Sequence, residues 1–238
     1  MSRGRLLLEI GVLSLALVFP TILTWAYFVD AEPGPRMKFT YAVGKIIQFS
    51  LPALFWLATD RSHFRFAWPK RFGMLTGIAF GLFVALAVQI LVLYLSHFKH
   101  RPMLEELTEQ VRLKVAAFGL TSPGLFLLFG AFLCIIHSGL EEFYWRLFLF
   151  GGWRKLLPLS WAIAISSIGF MAHHVVVLNE YLPGRFWTAT LPFSLAIACG
   201  GAVWAWMYER YGSIYPVWVS HALVDVAIML IGWILLFG

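Results

Sequence analysis

The sequence predicts an all-α protein: a polytopic bundle of about seven membrane-spanning helices with one amphipathic helix at the interface. Three observations lead there. The first is composition: of 238 residues, 61% are hydrophobic and only 13% charged, against about 45–50% and about 25% in an ordinary soluble domain. No water-soluble fold hides that much apolar surface. The second is that the apolar residues fall in runs of about 20, the length that crosses a hydrocarbon core of about 30 Å. The third is charge placement. The formal net charge of +6 is spread between the apolar runs instead of gathered on one segment, which speaks for membrane orientation and against a nucleic-acid partner.

The runs fall at about 6–28, 39–59, 73–97, 123–150, 157–178, 186–208 and 215–237. The first follows "MSRGR" and is too long for a signal-peptide core, so it reads as an uncleaved anchor despite the cleavage-like Val29-Asp30-Ala31. "HRPMLEELTEQVRLKVAAFGL", between the third and fourth runs, spaces Met103, Leu104, Leu107, Val111, Leu113 and Val115 among charges. That is helical periodicity without the hydrophobicity of a span, the pattern of an interfacial helix. Cys134 and Cys199 lie inside apolar runs, without metal or disulfide spacing, and read as small buried hydrophobes. The chain contains no repeat and reads as one integral-membrane domain over 1–238, with helices of unassigned role in 1–122 and the chemistry in 123–225. Arg3 and Arg5, the basic "DRSHFRFAWPKRF" stretch, and Arg154-Lys155 fall on one side if the N-terminus is cytoplasmic. The expected location is therefore the cell membrane, multi-pass, with the N-terminus inside.

Ionisable residues are expensive in hydrocarbon and usually face a bundle interior or a wet cavity. Glu9 and Lys45, near the ends of the first two runs, can snorkel or pair locally. The others gather in the last four runs: His137, Glu141, Glu142, Arg146, His173, His174, His221 and Asp225. Residues four apart share a helix face, so Glu142 and Arg146 are expected to form an architectural ion pair. Glu141, about 100° further round, shares its face with His137 and Trp145 and has no such cation. A carboxylate so placed is suited to taking and returning protons. A turn near Pro158 puts Glu141 and His174 at similar depth in an antiparallel hairpin, with Phe170 and His174 on one face; His173 points elsewhere and takes the place of His174 only if the register slips. His221 and Asp225 again share a face.

Two chemistries use such a set. Glu141 with His174 can activate water for attack on an amide, with His221 and Asp225 steadying the oxyanion. Alternatively Glu141, His174 and His221 can bind a zinc ion that generates the hydroxide, although the H-E-x-x-H motif is absent. No cofactor is expected from the sequence, and zinc stays open. A proton relay of a transporter is the reading from a different class, disfavoured by the lack of inverted repeats.

"EEFYWR", "FMAHH" and "HALVD", in that order on successive runs, resemble the CPBP intramembrane protease family of CAAX prenyl-protein proteases and bacteriocin-processing (Abi) proteins. Its pattern is E-E-x-x-x-R, then F-x-x-x-H, then H-x-x-x-N or H-x-x-x-D. The corresponding residues here are Glu141-Glu142 with Arg146, Phe170 with His174, and His221 with Asp225. The resemblance covers about 123–225 and implies a bacterial-type glutamic intramembrane endopeptidase. In it Glu141 and His174 activate water, and His221 with Asp225 forms the oxyanion site. Glu142, Arg146, Phe170 and His137 support them. It further implies a membrane-associated protein or peptide as substrate. Asp225 stands where prenyl-protein proteases have Asn, and an ionised Asp cannot donate a hydrogen bond. A silent scaffold or immunity protein on the same fold is the alternative.

Overall fold

The computed structural model describes residues 2–30, 32–58, 67–97 and 101–238. Every regular element among them is helical: α1 Arg3–Asp30, α2 Pro35–Ala58, α3 Arg71–His97, α4 Arg101–Phe118, α5 Pro123–Leu156, α6 Leu159–Tyr181, α7 Phe186–Tyr211 and α8 Tyr215–Phe237. The boundaries follow local chemistry. Ser2 and Ser122 cap α1 and α5 by accepting from the Arg5 and Leu125 amides, and Pro123 takes the first turn, where a missing N–H costs nothing. Pro158 separates α5 from α6. Gly212, at φ 62°, closes α7 in the left-handed conformation that only glycine adopts cheaply.

Six of these helices, all but α2 and α4, are long and apolar enough to cross a membrane. The expected second span, α2, is not one of the six, although its 24 residues would reach about 36 Å at about 1.5 Å per residue. It presents Phe39, Ile46, Ile47, Leu54 and Leu57 outward and half-buries Tyr41 and Lys45 on the other side. The molecule is a multi-pass membrane protein. As expected of a lipid-bathed bundle, large apolar side chains cover its outside, Leu15, Phe83 and Leu128 among them. Cys134 is buried, but Cys199 is exposed and so faces outward rather than into the core.

α3 and α8 form the most extensive helix pair. Gly73, Gly77 and Gly81 recur every fourth residue on one face of α3. A Cβ on Gly77 or Gly81 would run into the backbone of Pro216 or Ser220, so the glycines set how closely the axes approach. α6 pairs with α7 and α1. In the Gly200-Gly201 pair only Gly201 meets neighbours, Phe170, Arg146 and Ser167. The core at the centre is aromatic: Tyr144, Trp145, Phe148, Phe170 and Trp204 pack with Leu13, Ala16, Leu149, Met207 and Val217.

The amphipathic α4 is tied down by charge. Lys114 Nζ donates to the Phe28 carbonyl at 2.6 Å and to Glu180 at 3.0 Å, while Arg185 grips Glu106 with two nitrogens at 3.0 and 3.1 Å. At the opposite end, Arg154 meets Glu209 at 2.9 Å and Ser213 donates to the Ala67 carbonyl at 2.8 Å. The connections after α2, α5 and α7 therefore share one end of the bundle. Part of the basic stretch used for orientation, residues 59–66, and residues 98–100 ahead of α4 lie outside the described residues. Glu9 pairs locally with Arg5 at 3.5 Å.

Candidate active site

The two glutamates sit near the middle of α5, in a five-residue α-helical segment, Ser138–Glu142, between wider π-helical runs at Phe132–His137 and Phe143–Phe150. Such π turns are rare and concentrate at functional sites. Tyr144, fully buried, anchors this region by donating to the Ala16 carbonyl at 2.5 Å.

Glu141, 4% exposed, is ringed by imidazoles. Its Oε1 lies 3.5 Å from His137 Nε2 and 3.6 Å from His173 Nε2, and its Oε2 lies 3.8 Å from His221 Nε2. These separations exceed the 2.7–3.2 Å of a formed hydrogen bond. The carboxylate thus has three basic neighbours and no short bond to any of them, which leaves its lone pairs for a further donor such as water.

Glu142, fully buried, does more than the expected architectural pairing. Its Oε2 lies 3.2 Å from Arg146 Nε, and its Oε1 accepts from His221 Nδ1 at 2.7 Å. A carboxylate only accepts, so Nδ1 carries the proton and Nε2 is turned towards Glu141 and Asp225. Asp225 Oδ1 is 3.6 Å from that nitrogen. The His221 ring is held by stacking on Trp204, 4.5 Å between centroids, whose indole N–H donates to Ser220 at 2.9 Å. The Arg146 guanidinium rests 4.7 Å above Phe170 and 5.1 Å above Trp204. These ring faces and the Glu142 charge stand in for lost hydration.

The hairpin of α5 and α6 does bring the glutamate and the histidine pair to one depth, yet the Glu141–His174 contact expected from F-x-x-x-H is not the one formed. His173 faces Glu141, stacked on Trp145 with centroids 5.5 Å apart and planes at 7°. His174 turns back and donates from Nδ1 to its own helix at the Phe170 carbonyl, 2.8 Å away, and makes no ion pair with Glu141. The physical reason is rotation. Neighbouring positions differ by about 100° about the axis, and packing of Phe170 against Trp145 and Trp204 fixes which of the two looks inward. His174 stays close, its ring 4.1 Å from that of His173. Phe170 is the shared wall, touching both histidines and His221.

α2 completes the surroundings. Phe49 meets His137 edge-on at 5.6 Å, and Lys45 lies beside it, 5.4 Å above the Phe49 ring. Lys45 Nζ donates to Gln48 Oε1 at 3.2 Å. Lys45, expected from the sequence only to snorkel or pair locally, is brought to the edge of the site through Phe49. The available signal was the spacing of Tyr41, Lys45 and Gln48, three polar residues on one face of an otherwise apolar run. An open cleft of about 550 Å³ between α3 and α4, lined by Ser96, Leu104, Glu105, Thr108, Glu109 and Arg112, contains none of these residues. Among the described residues, no group of three His, Cys, Asp or Glu side chains is arranged to hold a metal ion.

The order of the polar helices and the clustering of their side chains agree with one known family. Residues 123–227, which run from the start of α5 into α8, match the family model described as Type II CAAX prenyl endopeptidase Rce1-like. Over this segment the chain is similar to the CAAX protease family. No curated protein and no solved structure gives a match. The Rce1-like match indicates a protease, and a membrane-embedded protease fits a membrane-associated substrate and a surrounding bilayer. Glu141, Glu142, Arg146, His173, His174, His221 and Asp225 all fall inside the Rce1-like segment. α1 and α2, which supply Ala16, Lys45 and Phe49, fall outside it.

Proposed function

We propose that the protein is a glutamic-type intramembrane endopeptidase that hydrolyses a peptide bond of a membrane-associated protein or peptide. The observation that carries this reading is Glu141, buried in the bundle, with three imidazole nitrogens at 3.5–3.8 Å and no short hydrogen bond of its own. A water bound to Glu141 attacks the carbonyl carbon, and its proton passes to the carboxylate while the carbonyl π electrons move onto oxygen. His221, holding Glu142 through Nδ1–H and protonated on Nε2, donates to that oxyanion, with Asp225 beside it. When the C–N bond breaks, the proton held by Glu141 and His173 goes to the departing amine. His137 supports Glu141 from one turn below. Glu142, Arg146 and Phe170 hold His221 and the histidine pair in register, and His174 flanks His173.

Purified protein in liposomes, given candidate membrane-anchored peptides, tests this. Cleavage is expected to fall about 10²–10⁴-fold in Glu141→Gln, with the helical fold retained. Unchanged cleavage in that variant would refute the glutamate mechanism, and cleavage lost to a chelator and restored by zinc would replace it with a metal site. A folded protein that cleaves none of the peptides would favour the silent scaffold. We place the N-terminus on the cytoplasmic side of the cell membrane. The shared end of the α2–α3, α5–α6 and α7–α8 connections supports this, together with Arg154 and Lys155 at that end.

A further inference from the structure

Trp204 has no task in the mechanism above, yet both partners of Glu142 rest against its indole. It is buried in α7. The His221 ring stacks on it, with centroids 4.5 Å apart and planes at 22°, and the Arg146 guanidinium lies 5.1 Å from its centre. Phe170 from α6 and Phe80 from α3 close on the same indole at steep angles, 74° and 90°.

The indole is itself fixed. Its N–H donates to Ser220 Oγ at 2.9 Å, one residue before His221. Ser220 is fully buried, and α3 passes so close that a Cβ on Gly81 would meet its carbonyl oxygen at 2.8 Å. α7 and α8 are thus pinned to each other at the level of the histidine. Trp145, stacked on His173, differs in this respect, because its N–H has no hydrogen-bond partner.

An aromatic face in this place does two things. A single hydrogen bond at Nδ1, to Glu142, leaves the His221 ring free to turn its plane, and the direction of Nε2 turns with it. The flat indole removes that freedom and holds Nε2 towards Glu141 and Asp225, 3.8 and 3.6 Å away. The second effect concerns charge. Glu142 has one negative charge for Arg146 and, once both ring nitrogens carry protons, for His221 as well. Aromatic faces attract cations, most strongly where water is excluded, and indole is the best of the side-chain rings. The imidazolium gains an attraction that the neutral ring lacks, at the moment the oxyanion needs a donor.

We propose that Trp204 is a positioning residue of the active site: its face sets the plane of His221 and stabilises that ring in its charged form as the oxyanion develops. This rests on the endopeptidase reading and deepens it. Trp204 touches no reacting atom and acts through His221.

The test is kcat and KM for a membrane-anchored peptide in liposomes, using Trp204→Met, Trp204→Phe and tryptophans of rising fluorine content placed at position 204 alone. Fluorine drains the ring face of negative charge and keeps its shape. Trp204→Met is expected to lose about ten- to thirtyfold in kcat, the kinetic equivalent of one desolvated cation–π contact, with KM little changed. Trp204→Phe should recover most of that loss, and kcat should fall stepwise with each fluorine. In a His221→Ala background, Trp204→Met should have almost no further effect. A packing role would instead give a loss that adds to that of His221→Ala, and no response to fluorine; either result overturns the proposal. The fluorinated series preserves the packing, so it decides the question should Trp204→Met fail to fold. If the wild type cleaves no peptide, the endopeptidase reading fails alone. The placing of His221 is then read by NMR of histidine-labelled protein, its ring N–H signal assigned by its loss in His221→Ala. Broadening of that signal by exchange in Trp204→Met sustains the positioning role, and an unchanged signal refutes it.

Discussion

His173 and His174 can be separated by mutation, because the structure gives them different work. His173→Ala removes an imidazole whose Nε2 is 3.6 Å from Glu141. If that ring helps carry the proton between water and leaving amine, turnover should drop about 10²–10⁴-fold, the usual worth of a positioned acid–base group. The ring's stack on Trp145 is lost as well, so some stability goes with it. His174→Ala removes one hydrogen bond within α6, at 2.8 Å to the Phe170 carbonyl. That bond is worth about 1 kcal/mol, and its acceptor already serves in the helix ladder. The expected result is a modest fall in thermal midpoint and less than about a tenfold loss in rate, well under the acid–base effect. The assay is kcat for a membrane-anchored peptide in liposomes, with the thermal midpoint of each variant measured in the same detergent. Should His174→Ala abolish turnover while His173→Ala leaves it nearly intact, the F-x-x-x-H register would outrank the geometry and this reasoning would be wrong.

Other expectations follow from the same contacts. Glu142→Ala leaves Arg146 buried without its carboxylate and frees His221 Nδ1. Breaking a buried pair costs about 3–5 kcal/mol, so we expect a large drop in thermal midpoint or loss of the monodisperse protein on size exclusion. Gly77→Ala forces a methyl against the Pro216 carbonyl and should cost about 1–3 kcal/mol. Gly200→Ala, where a Cβ meets nothing within 4 Å, should be neutral or stabilise by up to about 1 kcal/mol; equal effects at the two positions would contradict the packing described. Lys114→Ala removes the ties to Phe28 and Glu180, and hydrogen exchange across α4 should quicken relative to α6. Asp225→Asn keeps a polar group beside His221 Nε2 and supplies a donor, so turnover within about tenfold of wild type is expected, the scale of one hydrogen bond.

The contacts legible in the sequence are the local ones. Glu142–Arg146, His137–Glu141 and His221–Asp225 are each four residues apart, and helical geometry alone puts such pairs on one face. The second task of Glu142, holding His221, joins residues 79 apart, and no spacing rule reaches that far. Lys45 was hidden for a related reason. A lysine near the end of an apolar run has a bland explanation, and only the packing of Phe49 on His137 shows that α2 closes the site.

By itself the sequence determined that this chain is helical and lives in a bilayer, because composition and run length leave no other way to satisfy backbone and side chains together. It also determined that the costly polar groups belong to the last four spans. The tertiary structure alone decided which of two adjacent histidines faces Glu141, which glutamate holds His221, and that α2 joins the site. Those outcomes depend on the rotation and approach of whole helices about their axes, set by aromatic packing around Phe170 and Trp204 and by the glycines of α3. Each is a sum of many contacts distant in sequence, which no single segment encodes.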